Sequence, residues 1–551
     1  MYSNKENVNI LTALLVEHGV EHVVVCPGSR NAPLVHNFNE CPTIACHPAT
    51  DERSAGFIAI GLRQQYNAPV AVCVTSGSAL LNVLPAAAEA TYQHCGIIVI
   101  SADRPQAWID QMDGQTIPQP DALGRFVARS VNLPEPKNDD ERWLCQRLVN
   151  EAFIAYKTAS NPSVHINVPI TEPLFDFTEQ HLPCVYAIYC KALSEAKEEL
   201  SMIMNDGNCS RPMVVIGQIA QNILSTESIK KLEEHCVVLY EQLAVNQRAY
   251  TDQMLYSIQK QPEEYHPDWV LYVGGHTISK RLRQFMRSLG NDAYQILVSE
   301  DGMLRDISQH TRLVIKAEAQ EVIDYLAENM DRVNCSASYL GKWTELRNTV
   351  KEKTNAYQPA FSQMLAVKMF EESIGCTSAV YYANSMSVRL AAIYANHFCY
   401  CNRGVNGIEG SLSVAAGASI AQAAINPEAL TYCVIGDLSF FYDENALWQQ
   451  QLGGNLRILL LNNGQGGIFR NLKGLERSAA RDSLVSAQHS TKAEGACLQF
   501  GINYLRATDA ESLKESIEKL HSMKSERPVL LEVVTDVNED EKVFKNYYRT
   551  L

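Results

Sequence analysis

The chain has 551 residues, 46% hydrophobic and 20% charged. That balance excludes a disordered protein and is too long for one ordinary core. The formal net charge of −15 argues against a non-specific nucleic-acid binder, although it leaves room for a local basic pocket. The 16 cysteines include no Cys-x-x-C pair, and Cys26, Cys73 and Cys433 sit in apolar runs. With a polar opening from Met1 to Asn9, no signal peptide and no run of membrane-crossing length, the expectation is a cytoplasmic protein.

In chain order, Asn9 to His18 carries apolar residues at helical spacing. Glu21 to Cys26 reads as a strand ending in Pro27-Gly28-Ser29-Arg30, and Pro69 to Val74 as a strand ending in Thr75-Ser76-Gly77-Ser78. Ala79 to Tyr92 follows as a helix, then strands at Gly96 to Ser101 and Val164 to Val168. Such alternation implies βαβ units and a parallel sheet. An irregular, Pro-containing stretch from Pro169 to Ala192 reads as a linker. Strands at Met213–Ile216, Cys236–Tyr240, Val270–Val273, Tyr294–Val298 and Leu313–Ile315 form a second block. A charged, helix-prone stretch from Leu326 to Lys353 leads to a third, with strands at Ala379–Ala383, Thr431–Gly436, Leu456–Leu461 and Val529–Val534. Leu412 to Ile425 is apolar but too short to span a bilayer.

The third block holds the most informative segment. Asp437 follows the apolar run Tyr432-Cys433-Val434-Ile435, and Asn462-Asn463-Gly464-Gln465-Gly466 follows the next strand, with a helix expected between them over Tyr442 to Leu452. An acid and an amide thus stand at the carboxyl ends of neighbouring parallel strands, where open α/β sheets bind ligands. Two such oxygen ligands suit Mg²⁺ completed by phosphate and water, and the glycines let a diphosphate approach the backbone and a helix start. The plainer alternative is a helix-capping acid beside a turn.

Several basic residues also follow strand ends: Arg30, Arg104, Arg389, Arg403, and the pair Lys280 and Arg281 after Gly274-Gly275. Guanidinium forks match carboxylates two bonds at a time, so convergence of these groups would imply a substrate with several carboxylates. Each alone is more often a surface or salt-bridge residue. Glu52, in Thr50-Asp51-Glu52-Arg53-Ser54-Ala55-Gly56-Phe57, opens a small-residue helical segment; by itself it fits an acid favoured by the helix dipole.

The segment Gly436-Asp437-Leu438-Ser439 with Asn462-Asn463 resembles the diphosphate-binding motif of thiamine diphosphate (ThDP) enzymes, a Gly-Asp-Gly followed by Asn-Asn. Leu438 departs from it, standing where most of the superfamily has Gly. That departure fits one branch, the MenD family of menaquinone-pathway synthases. Pro-Gly-Ser-Arg-Asn from Pro27, Ala-Asp-Arg-Pro from Ala102, Asn-Ser-x-x-x-Arg from Asn384 and Asn-Arg-Gly from Asn402 are similar to that family over essentially the whole chain.

The resemblance implies an α/β architecture of three consecutive domains with mostly parallel sheets: a pyrimidine-binding domain over 1–185, a central Rossmann-like domain over 186–350, and a diphosphate- and Mg-binding domain over 351–551. It implies ThDP with Mg²⁺ or Mn²⁺. Glu52 would bond the pyrimidine and drive formation of the reactive carbanion. Ile408 would support the bent cofactor, though core packing reads equally well. Gly436, Asp437, Leu438 and Ser439 would meet the cofactor with Asn463, Gln465, Gly466, Ile468 and Ser385. Asp437, Asn463 and Gln465 would hold the metal. Ser29, Arg30, Arg104 and Gln115 would contact substrate, with Ser385, Arg389 and Arg403. Lys280 and Arg281 would reach in from the central domain, and Ile468, Phe469 and Leu472 would form an apolar wall. The implied reaction decarboxylates 2-oxoglutarate and adds the succinyl carbanion to isochorismate in a 1,4-addition. The product is 2-succinyl-5-enolpyruvyl-6-hydroxy-3-cyclohexene-1-carboxylate. The implied assembly is a homodimer or dimer of dimers with sites between subunits, with no nucleic-acid or membrane partner.

Three rivals are weighed; the third, a catalytically dead scaffold, would need loss of Glu52 or Asp437, and both are present. A ThDP enzyme for another 2-oxo acid, such as an acetolactate synthase, is disfavoured by Leu438 and the arginine set. A nucleotide-binding Rossmann protein should carry a Gly-x-Gly-x-x-Gly turn after a strand, and none is found.

Overall fold

The computed structural model describes residues 1–333, 335–375, 378–472 and 474–551. It contains three six-stranded sheets and divides into two compact units, Met1–Ala192 with Gly302–Ile315 and Leu193–Asp301 with Lys316–Leu551.

In the first unit the strands lie in the order Ala45–Pro48, His22–Val25, Val70–Val74, Ile98–Asp103, Val164–Pro169, Arg129–Asn132, with parallel pairings throughout. A parallel sheet needs both faces covered, and the apolar runs supply both by sending alternate residues to opposite sides. Val23 and Val25 pack with Leu11, Phe38 and Phe153 from helices Glu6–Glu17, Ala32–Glu40 and Asp139–Tyr156. Val24 and Val72 pack with Ala59, Leu80 and Val83 from helices Glu52–Tyr66 and Ser78–Tyr92. Gly56 marks the closest approach of that second pair: a Cβ there would sit 2.5 Å from the Ala86 methyl.

In the second unit, one sheet places Tyr294–Val298, Trp269–Val273, Pro212–Ile216 and Val237–Tyr240 side by side in parallel. The other runs Cys399–Tyr400, Ala379–Tyr382, Thr431–Gly436, Leu456–Asn462, Val529–Val534, Asn503–Ala507. Its faces alternate as before. Val434, Leu459 and Leu531 pack on Phe370, Val388 and Tyr547, whereas Cys433, Ile435, Ile458 and Leu460 pack on Leu412 and Phe440.

Two of the sheets therefore share one spatial order: second, first, third, fourth, sixth, fifth. The chain leaves its first strand on one side and returns on the other. This opens a crevice at the carboxyl ends of the first and third strands, where such folds bind ligands. In the first unit the loops at that crevice are Cys26–Arg30 and Thr75–Ser78; in the second they carry Ser385 and Asp437.

Two expectations are corrected. The helix placed over Tyr442 to Leu452 instead runs Asp437–Asp443, followed by a 3-10 turn at Glu444–Trp448. The strand passes directly into it, and the Asp443 carboxylate accepts from Ser413 N at 2.8 Å and Ser413 Oγ at 2.6 Å. The stretch Leu326 to Lys353 is helical as expected, falling in the helices Ala319–Asn329 and Ala337–Ala356, the second capped by Ser336 Oγ accepting from Tyr339 N at 3.3 Å. The stretch read as a linker ends in a strand, Tyr189–Ala192. This strand, with Ala45–Pro48, Arg129–Asn132, Cys399–Tyr400 and Asn503–Ala507, was not foreseen from sequence; all five are edge strands. Edges bury less apolar surface and so carry weak periodicity. Among the described residues, no helix is long and apolar enough to cross a membrane.

Glu532 sits fully buried on the strand Val529–Val534. Its carboxylate accepts from Asn462 Nδ2 at 2.7 Å, Ala493 N at 3.2 Å and Tyr504 OH at 2.6 Å. Removing it strands three donors, each costing about 1–3 kcal/mol. Glu532→Ala should lower unfolding free energy in urea by roughly 3 kcal/mol or more; a change within error would show that the three donors find other partners.

Candidate active site

The Asp437 carboxylate is buried and organises the end of the third sheet. Oδ1 accepts from Leu438 N at 2.7 Å, and Oδ2 from Asn463 N at 3.1 Å and Gly464 N at 2.8 Å. Gly464 has φ +78°, and a Cβ there would meet the His489 carbonyl at 2.7 Å, so both conformation and space require glycine. The Asn463 side chain is oriented by Nδ2 donating to Asp540 Oδ2 at 2.9 Å. Asp540 is itself buried, which raises its carboxyl pKa. His489 Nε2 lies 3.5 Å from Asp437 Oδ2, and that carboxylate raises the imidazole pKa.

Two observations test the fit of a metal and a diphosphate here. Gln465 is buried, and its Oε1 has no hydrogen-bond partner among the described residues; a buried amide oxygen left open calls for a ligand. The space in front of Gly436 is open, the nearest atom to a Cβ there being Ser387 Oγ at 4.0 Å. Asp437, Asn463 and Gln465 thus offer one carboxylate and two amide oxygens, a hard donor set suited to Mg²⁺ or Mn²⁺ with phosphate oxygens. Among the described residues, no group of three or more His, Cys, Asp or Glu could hold a metal alone. The residues present fit both groups. Leu438 packs over the same loop: a Cβ on Gly466 would meet Phe469 Cδ2 at 2.8 Å and Leu438 Cδ1 at 3.3 Å. Ser439 is buried in the first helical turn.

Within the second unit a cavity of about 980 Å³ is lined by Lys280, Arg281, Arg389, Ile468 and Leu472, five of the residues expected to meet substrate. Arg389 is held by Nη1 donating to the Ser385 carbonyl at 2.6 Å. Ser385 has φ +71°, a strained conformation for a residue with a side chain, of the kind that clusters at functional sites. Burial, then the neighbouring Arg403, lowers the Arg389 guanidinium pKa. Arg403 donates to Asn384 Oδ1 and to the Thr277 carbonyl, both at 3.0 Å. Phe469 is half-buried and stands against Gly466. Ile408 is 37% exposed.

The first unit holds the remaining candidates around its own crevice. Glu52 is the first residue of its helix, after Asp51, whose side chain caps Ser54 N at 2.8 Å. Its carboxylate accepts from Asn82 Nδ2 at 3.4 Å. Burial and then Glu52 push the Cys26 thiol up to about 12. Ser29 is exposed in the adjoining loop. A Cβ on Gly28 would meet Thr75 Cβ at 2.4 Å, so this glycine lets the two crevice loops touch. Arg104 and Gln115 come together: Arg104 Nη1 donates to the Gln115 carbonyl at 3.2 Å and to Ser76 Oγ at 3.1 Å. Arg30 is buried and bonded to the Ile170 carbonyl at 3.0 Å and Glu172 at 2.9 Å.

Sequence reading missed several groups that shape the cavity. Asp252, Tyr256 and Tyr548 line it with Glu241, a buried carboxyl pushed up to about 7 by its burial. Glu241 follows a strand and could have been found by the strand-end rule. Asp252 and Tyr548 lie on helices without any motif.

Comparison with known proteins agrees with this geometry. Residues 6–123 match the thiamine pyrophosphate enzyme N-terminal TPP binding domain, and residues 374–533 the C-terminal TPP binding domain. A 2-succinyl-5-enolpyruvyl-6-hydroxy-3-cyclohexene-1-carboxylate synthase from Bacteroides fragilis is 40% identical over 100% of both chains. A protein of the same name from Phocaeicola vulgatus is 40% identical over 100% of this chain and 99% of its own. One from Flavobacterium psychrophilum is 31% identical over 97% and 96%. The chain therefore belongs to the 2-succinyl-5-enolpyruvyl-6-hydroxy-3-cyclohexene-1-carboxylate synthase family of thiamine pyrophosphate enzymes.

Proposed function

We propose that this chain is a ThDP-dependent transferase of menaquinone biosynthesis. It releases CO₂ from 2-oxoglutarate and joins the four-carbon remainder to isochorismate by 1,4-addition, giving 2-succinyl-5-enolpyruvyl-6-hydroxy-3-cyclohexene-1-carboxylate. The observation that carries the reading is the cavity in which Lys280, Arg281 and Arg389 meet the apolar side chains of Ile468 and Leu472. 2-Oxoglutarate and isochorismate each bring two carboxylates, and guanidinium and ammonium groups at partly buried positions receive them. The apolar wall favours loss of carboxylate charge as CO₂ and keeps water from the reacting carbon.

Bound ThDP would supply the carbon nucleophile and the electron sink. The protein's share falls to named residues. Asp437, Asn463 and Gln465 would hold Mg²⁺ or Mn²⁺ together with the diphosphate. Glu52 would hold or release a proton at its carboxylate toward the aminopyrimidine. Ile408 would support the cofactor, and Gly436, Leu438, Ser439, Gly466, Ile468 and Ser385 would contact it. Arg403, Phe469, Ser29, Arg30, Arg104 and Gln115 complete the substrate contacts. The three domains span 1–185, 186–350 and 351–551, and the protein works in the cytoplasm.

The assembly we propose is a homodimer or a dimer of dimers, in which Glu52 of one subunit serves the diphosphate loop of another. Exposed apolar side chains near each half-site support it: Phe57, Ile58 and Leu81 at 43–45% exposure around Glu52, and Val405 at 92% in the Ile408 loop. Light scattering after gel filtration should give at least twice the 61.4 kDa chain mass; an active monomer would overturn this arrangement.

The direct test is CO₂ release from 2-oxoglutarate with ThDP and Mg²⁺, with and without isochorismate, and mass analysis of the product. The succinylated adduct should form only with both substrates; equal turnover of pyruvate would transfer the protein to another ThDP activity. Glu52→Gln should lower kcat by roughly 10²-fold or more while ThDP affinity stays near wild type. Unchanged turnover would remove Glu52 from the proton transfer.

A further inference from the structure

Lys280 and Arg281 open the helix Lys280–Ser288, placing two cations in a first turn where the helix dipole disfavours them. Asp252, from the helix Thr251–Ser257, answers that charge. Its Oδ2 accepts from Arg281 Nη1 at 2.5 Å and from Tyr548 OH at 2.7 Å. Its Oδ1 accepts from Ser279 Oγ at 2.5 Å, the hydroxyl that caps Leu282 N at 3.1 Å. Glu241 Oε1 fixes the same turn by accepting from Ser279 N at 3.0 Å. The Arg281 guanidinium also lies over two rings, Tyr256 at 5.0 Å and Tyr548 at 4.6 Å, in cation–π geometry.

We propose that Asp252 and Tyr548 form a positioning pair that holds Arg281 as a receptor for a substrate carboxylate and ties it to the C-terminal helix Val537–Thr550. The inference rests on the reading that this cavity takes polycarboxylate substrates. The fork is fixed at one edge by a carboxylate and rests against two aromatic rings that pack on each other, so Arg281 keeps one orientation without its ligand and loses little freedom on binding. Tyr548 is buried, and that burial with Asp252 beside it raises its pKa far above the usual phenol value. It therefore remains a donor at working pH, sharing the oxygen that Arg281 uses. Asp252 and Tyr548 act through Arg281 and need not touch substrate.

Asp252→Asn is the informative substitution, because its amide oxygen can still accept from Ser279 Oγ and its NH2 can donate to the Tyr548 hydroxyl oxygen, while the charge that holds Arg281 is gone. In the ThDP- and Mg²⁺-loaded enzyme, KM for at least one of 2-oxoglutarate and isochorismate should rise about tenfold. kcat, ThDP affinity and the thermal midpoint should stay near wild type. Tyr548→Phe should move the same KM in the same direction by less, and Asp252→Glu should restore part of the loss. An unmoved KM in Asp252→Asn, with wild-type turnover intact, overturns this inference alone. So does a KM rise matched by falls in ThDP affinity and midpoint, which would mark a purely structural acid. Absence of wild-type turnover on these substrates overturns the parent reading as well.

Discussion

The end of the third sheet depends on a single buried carboxylate. A buried Asp is costly unless its oxygens are bonded, and Asp437 meets that demand with three backbone N–H groups, from Leu438, Asn463 and Gly464. These bonds run from one parallel strand end to the next, Gly436 being paired with Leu461. Charge-assisted hydrogen bonds contribute about 1.5–3 kcal/mol each, enough to force the turn after Asn462 into a shape only glycine takes at 464. That turn in turn buries the Gln465 side chain with its oxygen open and brings Gly466 against Phe469 and Leu438. Support from behind comes from Glu532, which orients Asn462, whose Oδ1 accepts from Gly464 N at 3.0 Å. The acid, the amide and the glycines are thus one mechanical unit.

Around it the charge is arranged against the average. The chain carries a net charge of −15, yet Arg389, Arg403 and Arg283 interact closely enough to influence one another. Burial and mutual repulsion lower the Arg389 pKa, a cost relieved when an anion enters. Asp252 and Glu241 offset part of that repulsion without filling the cavity. The site therefore combines cations held in place with apolar walls, an arrangement that favours carboxylates and disfavours free water.

Much of this was legible in the sequence, for physical reasons. Buried parallel strands read as continuous apolar runs, so the inner strands were found to within one or two residues, and the strand-end rule then picked out Asp437, Asn463, Arg389 and Lys280. Edge strands such as Ala45–Pro48 and Cys399–Tyr400 gave no such signal, because one flank lacks a partner and little of the strand is apolar. The helix after Asp437 was placed five residues late, since its first turn, Asp437-Leu438-Ser439, reads as loop chemistry when taken as a motif. Asp252 and Tyr548 were invisible because tertiary packing alone brings them to Arg281. Leu438 was noticed as a departure from the usual glycine; its packing against Gly466 gives that departure a role.

On the proposed reading, Asp437 and its loop would bind a diphosphate together with a divalent metal. The most direct measurement is calorimetric titration of ThDP into wild-type protein and Asp437→Ala, each with Mg²⁺ and with a chelator in its place. Wild type should bind ThDP tightly only with the metal, and Asp437→Ala should lose that metal-dependent binding while remaining folded by circular dichroism. Equal ThDP affinity in the folded variant, or wild-type binding indifferent to the chelator, would contradict the account.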